Sequence, residues 1–460
     1  MEPIFTNDAV VLGLLLIVLA FIFHTSSLPS WKRFYTFLPT VLMCYFVPAL
    51  LNWPLGLIAP HWYTESVYEL AGQLGVMEDF SNMSYDQITT FLRDAGATTA
   101  QLEPHQGHSQ LYFVASRYLL PACLVLLCLG IDFKGIMRLG PKALIMFFAA
   151  TLGIIIGGPI ALLFVSYVAP GVIDSSAGEI WRGLSTIAGS WIGGGANQTA
   201  MKEIYQVGDG LFASMIVVDV LVANIWMGIL LFGINFSDKL DRWLKADNSA
   251  IEELKKRVSD YRSSIEKVPT TREVFILLAI AFGAVAVSHW GKDVITPWMA
   301  SFKESLESLR LNSLMSSFFW LIVISTTVGV ALSFTRARKF EGVGASRWGT
   351  VFIYILVATI GMKMNVGEIF DNLGLFLIGI VWMMVHVLIL FIVSKIIRAP
   401  YFFVAVGSQA NVGGAASAPI VASAFDPALA PVGVLMAVLG YAMGTYGAII
   451  CAMLMQGVSG

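Results

Sequence analysis

The chain has 460 residues, of which 57% are hydrophobic and 13% charged, and a net charge of −2. Its mean hydropathy is +0.77. Soluble domains carry about 25% charged residues, and here apolar runs of the ~20 residues needed to cross a bilayer recur along the whole length. A soluble core of any size is excluded, the lipid bilayer is the first expected partner, and nucleic acid is not one.

The N-terminus, MEPIFTND, is acidic and lacks a basic n-region, so the first apolar run, 9–24, reads as a retained span. A second run covers 35–52. Residues 53–110 then hold seven carboxylates and one basic residue, Arg93. Runs follow at 112–131, 143–168 and 211–234. The next polar stretch, 236–272, holds nine Lys or Arg, and its Ile251, Leu254, Val258, Tyr261 and Ile265 recur at helical spacing. It reads as a cytoplasmic amphipathic linker over 236–270. The remaining runs are 274–290, 314–334, 350–362, 375–394 and 432–455. Cys44, Cys123, Cys128 and Cys451 all fall inside apolar runs without metal-type spacing, which reads as buried thiols.

An internal repeat organises these spans. GSWIGGGANQTA (189–200) and GSQANVGGAASA (407–418) match at an offset of 218, and GIDFKGIMRLG (130–140) resembles GMKMNVGEIFDNLG (361–374). An aspartate turn at Asp209 or Asp426 and one long span follow each Gly-rich stretch. The expected repeats are 1–235, with a broken segment at 180–207, and 271–460, with a broken segment at 399–428. If each broken segment is a re-entrant hairpin, the repeats are inverted and the 28 Lys and Arg sort 20 inside to 8 outside. Twelve full spans sort them less well. The expected fold is therefore all-α and polytopic: two inverted-topology repeats with broken or re-entrant helices, about ten spans and both termini outside.

Glycine pairs in the middle of apolar segments weaken helix where backbone needs partners. Two such breaks at equivalent places mark an inverted-repeat transporter, whose half-helix ends face a midplane ligand. Candidate solute-binding residues are Ser190, Gly194, Gly195, Asn197, Gln198 and Thr199 in the first break. The second offers Ser408, Gln409, Asn411, Gly413, Gly414 and Ser417. Asp219 sits among apolar neighbours in MIVVDVLVANIWM, where a carboxylate costs about 2.5 kcal/mol or more unless paired, solvated or protonated. It is the candidate ion-coupling group, with Asn224 five residues on and Thr445 in the counterpart span of the second half; Na⁺ and H⁺ both remain open, and no other metal is expected. His386 is a weaker candidate, equally readable as a packing residue, and Lys202 and Glu203 read as a membrane-surface end. The chain lacks nucleotide-loop, zinc, HExxH and GxSxG patterns, so an enzyme is not expected.

GSWIGGGANQTA, LLPACLVLLCLGIDFKGIMRLGPKAL (119–144) and TTVGVALSFTRARKFEGVGASRWGTVFIYILVATIGMK (326–363) together resemble the bacterial membrane family called domain of unknown function 819. That family is grouped with the cation:proton antiporter and anion transporter superfamily, alongside bile-acid:sodium and citrate:sodium symporters. The resemblance implies a bacterial inner-membrane protein with panel and core domains, elevator-type alternating access and a homodimer. In that superfamily the broken segments are described as crossing helices in most branches and hairpins in some. Proton antiporters there carry a lysine in the second half. The last span here has none, which favours Na⁺- or H⁺-coupled symport of a small polar or anionic solute over cation:proton antiport. A membrane scaffold or sensor is the alternative of another class.

The charge sorting makes a direct prediction. Cysteines introduced at Ser81 and Ser249 should label with an impermeant maleimide from opposite faces of the membrane. Labelling of both from one face would eliminate the hairpin topology.

Overall fold

Each of the ten apolar runs lies mainly in a helix in the computed structural model of the chain. The structure describes residues 2–38, 40–76, 78–80, 83, 85–170, 180–247, 269–308, 311–364, 374–426 and 429–459. Much of the expected linker (248–268) and the 365–373 part of the upstream repeat motif lie outside them. Among the described residues, seven helices are long and apolar enough to cross a membrane, or up to nine if two bent pairs each count as one span. The tenth run corresponds to a shorter apolar helix, Ala345–Gly361. Helix is the expected local answer because hydrocarbon offers backbone groups no partner outside their own segment.

The chain divides into two compact units that cut across the expected repeats: residues 1–117 with 354–366, and residues 118–353 with 367–460. In the first unit, α1 (Asp8–Ser27) starts where the Asn7 side chain accepts from Ala9 N at 2.9 Å. After the short α2 (Lys32–Phe37), α1 packs with α3 (Thr40–Asn52). The acidic segment that follows is a folded lobe. Strands β1 (His61–Tyr63) and β2 (Gln106–His108) pair antiparallel with His61 opposite His108. Between them lie α4 (Val67–Gln73), α5 (Tyr85–Asp94) and α6 (Thr99–Leu102). Tyr63, Val67, Leu70, Phe80, Ile88 and Leu92 form its buried centre. The lobe's carboxylates therefore decorate a core rather than a loose loop.

Helix α7 (Leu111–Leu129) leads out of the first unit and contains a π turn at Ala115–Leu119. Pro121 accounts for that turn: it lacks an N–H, and its ring would strike the carbonyl four residues back. In the second unit come α8 (Phe133–Arg138), α9 (Pro141–Val168), α10 (Ile180–Gly193), α11 (Gly195–Ile204) and α12 (Asp209–Ile234). The amphipathic α13 (Ser237–Leu244) is the described part of the expected linker. Next are α14 (Thr271–Ala300), opened by a Thr270–Glu273 capping box, α15 (Lys303–Ser308) and α16 (Ser317–Ser333). The chain then forms α17 (Ala345–Gly361) and α18 (Gly374–Ile397), then α19 (Tyr401–Val412), α20 (Gly414–Phe425) and α21 (Ala430–Val458).

Helix α21 is the axis of this unit. Its apolar window is 67% buried, against 28% for α14, so α14 presents its apolar surface outward and α21 is enclosed. It also packs against α9, α10 and α20. Close approach to α10 depends on glycine on both sides: a methyl on Gly444 would stand 2.5 Å from the Gly193 Cα. Backbone cannot yield there, so overpacking should cost about 3 kcal/mol or more. Gly444→Val should accordingly lose most of its monodisperse fraction on detergent size-exclusion. Gly283→Val, on α14 with nothing within 4 Å, should match wild type.

Candidate functional site

Both Gly-rich stretches are two helices meeting at a left-handed glycine. Gly194, between α10 and α11, has φ +81°, and Gly414, which opens α20, has φ +59°. Left-handed backbone without a Cβ penalty is what glycine supplies. The first pair folds back on itself. A methyl on Gly189 would lie 2.6 Å from the Asn197 carbonyl oxygen, whereas eight residues of straight helix span about 12 Å.

Asp219, buried on α12, ties the two arms of this hairpin together. Its Oδ2 accepts from Ser190 Oγ at 2.6 Å and from Gln198 Nε2 at 3.0 Å, while Oδ1 accepts from Trp191 Nε1 at 2.7 Å. The partners are a hydroxyl, an amide and an indole, and no basic side chain is among them. On the far side of the hairpin, Asn197 donates to Gly193 O at 2.8 Å and accepts from Thr445 Oγ1 of α21 at 2.7 Å. Thr445 in turn meets Thr326 of α16 at 3.1 Å. At the end of α11, the buried Lys202 ammonium pairs with Asp209 at 2.8 Å and lies 5.6 Å from the Phe212 ring centre. It latches the hairpin to the start of α12.

The second break is held by different helices. Ser408 Oγ accepts from Trp226 Nε1 at 2.8 Å and lies 2.8 Å from His386 Nε2. His386 Nδ1 sits 3.1 Å from Ala150 O. A carbonyl only accepts, so Nδ1 is the donor in that contact. Asn411 accepts from Thr151 Oγ1 at 2.8 Å and donates to Gly407 O at 3.1 Å. Gln409 Nε2 donates to Ser417 Oγ at 2.8 Å. Its Oε1 is buried without a partner among the described residues.

Several expected site residues therefore converge: Asp219 with Ser190 and Gln198, Asn197 with Thr445, and Gln409 with Ser417. Gly413 packs so closely on the Gln409 and Ser417 side chains that a Cβ would displace them. Others do not join a shared site. Thr199 Oγ1 bonds back to Gly195 O at 3.0 Å, and Asn224 bonds back to Val220 O at 2.7 Å, each within its own helix. Trp191, Trp226, Thr151 and Thr326 hold the site together without having been singled out in the sequence. His386 turns out to be wired to the second break. A polar-tipped aromatic inside an apolar run was the signal available for both tryptophans.

One face of α12 serves both breaks, since Asp219 and Trp226 are seven residues apart and so lie on the same side. The breaks themselves meet at α21. A methyl on Gly440 would lie 2.6 Å from Ile192 O of the first break and 3.5 Å from Ala410 O of the second. Among the described residues no group of three or more His, Cys, Asp or Glu could hold a metal ion.

Residues 79–458, which contain both breaks, match the family described as Protein of unknown function (DUF819). The chain belongs to this family. It is also 25% identical over 342 residues to the Uncharacterized membrane protein YjcL of Bacillus subtilis, covering 74% of this chain and 82% of that protein. The chain is thus a multi-pass membrane protein of the DUF819 family.

The three donors on Asp219 set up a stability test. An asparagine there offers one oxygen and an NH₂ group, so an amide meeting Ser190 and Gln198 turns its NH₂ toward Trp191 Nε1. Leaving that buried indole N–H unpaired costs about 1–3 kcal/mol. Asp219→Asn should lower the thermal unfolding midpoint by several degrees, and adding Trp191→Phe should recover part of the loss. Strictly additive losses in the double variant would show that the indole bond contributes nothing.

Proposed function

We propose that the chain is an ion-coupled secondary transporter of a small polar or anionic organic solute, acting in a bacterial cytoplasmic membrane rather than as an enzyme. On this reading the two halves are inverted repeats, the breaks form the transport site, and access alternates by an elevator movement. A homodimer is the assembly that goes with it. The observation that carries the reading is the meeting of two glycine-broken helix pairs at Gly440.

The polarity of the broken helices supports a division of labour. The C-terminal ends of α10 and α19, with their carbonyl oxygens, border the same glycine, and a helix C-terminus carries partial negative charge. That end suits a coupling cation. The starts of α11 and α20 have the opposite polarity. The first intrahelical bond of α11 is Gln198 N to Gly194 O at 3.0 Å, which leaves the N–H groups before it free of helical partners. A Cβ at Gly195 or Gly414 would meet nothing within 4 Å, so open space adjoins both helix starts. An anionic group placed there is favoured by the helix dipole. Gln409 Oε1 adds a buried acceptor that a solute N–H or O–H can satisfy. Asp219 brings a carboxylate whose three partners are all neutral, so a coupling cation supplies the missing charge.

Transport can be read directly as substrate-evoked current in proteoliposomes on a solid-supported membrane. A panel of small carboxylates and amino acids is applied under Na⁺ or pH gradients. At least one solute should evoke current, and Gly194→Leu should abolish it while the protein stays folded, because the side chain fills the open space and opposes the left-handed turn. In Asp219→Asn, H⁺ coupling predicts pH-independent exchange without accumulation, whereas Na⁺ coupling predicts lost Na⁺-dependent thermal stabilisation. Full activity of Gly194→Leu would remove the break from the mechanism.

A further inference from the structure

Ser190 and Ser408 hold the same place in the two matching stretches, GSWIGGGANQTA and GSQANVGGAASA. Each is bonded to a buried titratable side chain that belongs to neither arm of its own break. For Ser190 this is the Asp219 carboxylate on α12, at 2.6 Å. For Ser408 it is the His386 imidazole on α18, at 2.8 Å. The acid takes the coupling cation in the proposed cycle, and the base has the same connection to the other break.

Helix packing alone does not account for a histidine at this position. One turn earlier on α18, Trp382 Nε1 donates to Ile154 O of α9 at 2.8 Å. His386 Nδ1 makes the matching contact one turn away on α9, with Ala150 O at 3.1 Å. A ring with one N–H is enough for that contact, as the indole shows. The imidazole brings a second nitrogen, and Nε2 meets the break. Gly153 makes room for the ring, since a methyl there would stand 3.2 Å from Nδ1. His386 and Ser408 are both fully buried. Other titratable side chains on α18 and the helices packed closely against it are Lys395 on α18, Lys142 and Tyr167 on α9, Asp209 and Asp219 on α12, and Tyr401 on α19. Among the described residues none of them bonds the His386 ring.

The bond to Ser408 can take a proton without moving any heavy atom. Ser408 Oγ accepts from Trp226 Nε1 at 2.8 Å, so one further hydrogen fills the line between Oγ and Nε2. With a neutral ring that hydrogen is the hydroxyl's, and with a protonated ring it is the imidazole's, because Ala150 O keeps Nδ1 a donor in both cases. After protonation the hydroxyl hydrogen turns to a carbonyl one turn back in α19, as serines inside helices do. The imidazolium is then bonded to two oxygens. The C-terminal end of α19, with its partial negative charge, lies one turn beyond Ser408. A buried cation still costs free energy without a counter-charge. An anionic solute at the start of α20, which follows α19 at Gly414, supplies one.

We propose that His386 is the proton-binding group of the second break and takes up its proton together with the anionic solute. The solute half of this rests on the transport function proposed above; the proton half does not. Proton and anion each raise the affinity for the other, because coupling between two sites is reciprocal. The solute is thereby selected as an anion that travels with H⁺ at this break, whichever ion Asp219 carries.

Ring-¹⁵N-histidine NMR of the full chain in nanodiscs reads the proton directly, from about pH 8 to about pH 4.5 in acetate buffer, which also supplies the probe anion. One of the six histidine signals, absent in His386→Gln, should pass reversibly from one ring N–H to two. Should His386→Gln not fold, Trp226→Phe identifies the ring instead: it removes the indole hydrogen from Ser408 and should move that signal while the other five stay in place. In the proteoliposome assay, acidifying the solute side by about one pH unit should raise the wild-type current about threefold or more, one bound proton setting a limit of about tenfold. His386→Gln should lose most of that rise, since glutamine keeps an amide donor for Ala150 O but takes no proton. A ring that keeps a single N–H throughout in folded protein would overturn the proposal, as would the wild-type rise in His386→Gln. Current without ring titration sinks the proton site and leaves the transport reading intact. Ring titration without current from any carboxylate does the reverse.

Discussion

Backbone that leaves helical geometry inside a hydrocarbon layer has no water to bond, and every orphaned group must find a partner in the protein. The site is organised around that constraint. At the first break the Asn197 amide returns to Gly193 O at 2.8 Å, and at the second the Asn411 amide reaches Gly407 O at 3.1 Å. Each asparagine then uses its oxygen to accept from a threonine on another helix, Thr445 of α21 or Thr151 of α9. At the first break the asparagine thus serves a carbonyl at a helix end, and at both breaks it anchors the break to the bundle. A leucine at either place would fill the volume and leave carbonyls and hydroxyls stranded.

Satisfaction at the breaks is not uniform, and the differences sort structural from responsive groups. Asn197, Asn411, Ser408 and Thr445 are each bonded to protein partners on neighbouring helices. Removing one partner of such a pair leaves the other buried and unpaired, which is why these contacts resist change. Gln409 Oε1 has no partner among the described residues, and the space beside Gly195 and Gly414 is open. Those are the points where an incoming molecule gains hydrogen bonds without displacing any. Asp219 lies between the two kinds: every oxygen is bonded, but only to neutral donors.

Much of this was legible in the sequence. Length and hydropathy located the apolar helical runs, of which seven to nine among the described residues are long enough to span where ten were expected, because a bilayer demands long apolar segments whatever their packing. Glycine pairs located both breaks, since Gly194 and Gly414 occupy backbone that other residues resist. Asp219 stood out through the cost of its setting. The contact map did not stand out. Helices buried on most sides show no polar stripe, so nothing in the spans said that Trp226 would face Ser408 or that Thr326 would face Thr445. Asn224 and Thr199 were indistinguishable from true site residues by composition, and only geometry shows them bonding to their own helices. The compact units were equally hidden. They assemble from stretches far apart in the chain, as with Asn52 Nδ2 donating to Met362 O at 2.8 Å, and a linear charge pattern carries no trace of that.

On the transport reading proposed above, helix α12 would give the arrangement a physical route for coupling. Coupling between two ligands requires an element whose position both occupancies bias, and it is reciprocal. Asp219 and Trp226 stand two turns apart on one face of a continuous helix, about 10 Å along its axis. The first binds both arms of one hairpin, and the second binds the serine of the other break. On that reading, a cation or proton arriving at Asp219 would compete with Ser190, Trp191 and Gln198 for the carboxylate, and any shift of α12 that followed would move the Trp226 indole relative to Ser408 and hence to His386. A solute bound beside Gln409, one residue from Ser408, would act on the same helix from the other end. On the proposed reading, a single helix bonded to both breaks would be enough to link ion occupancy to solute occupancy.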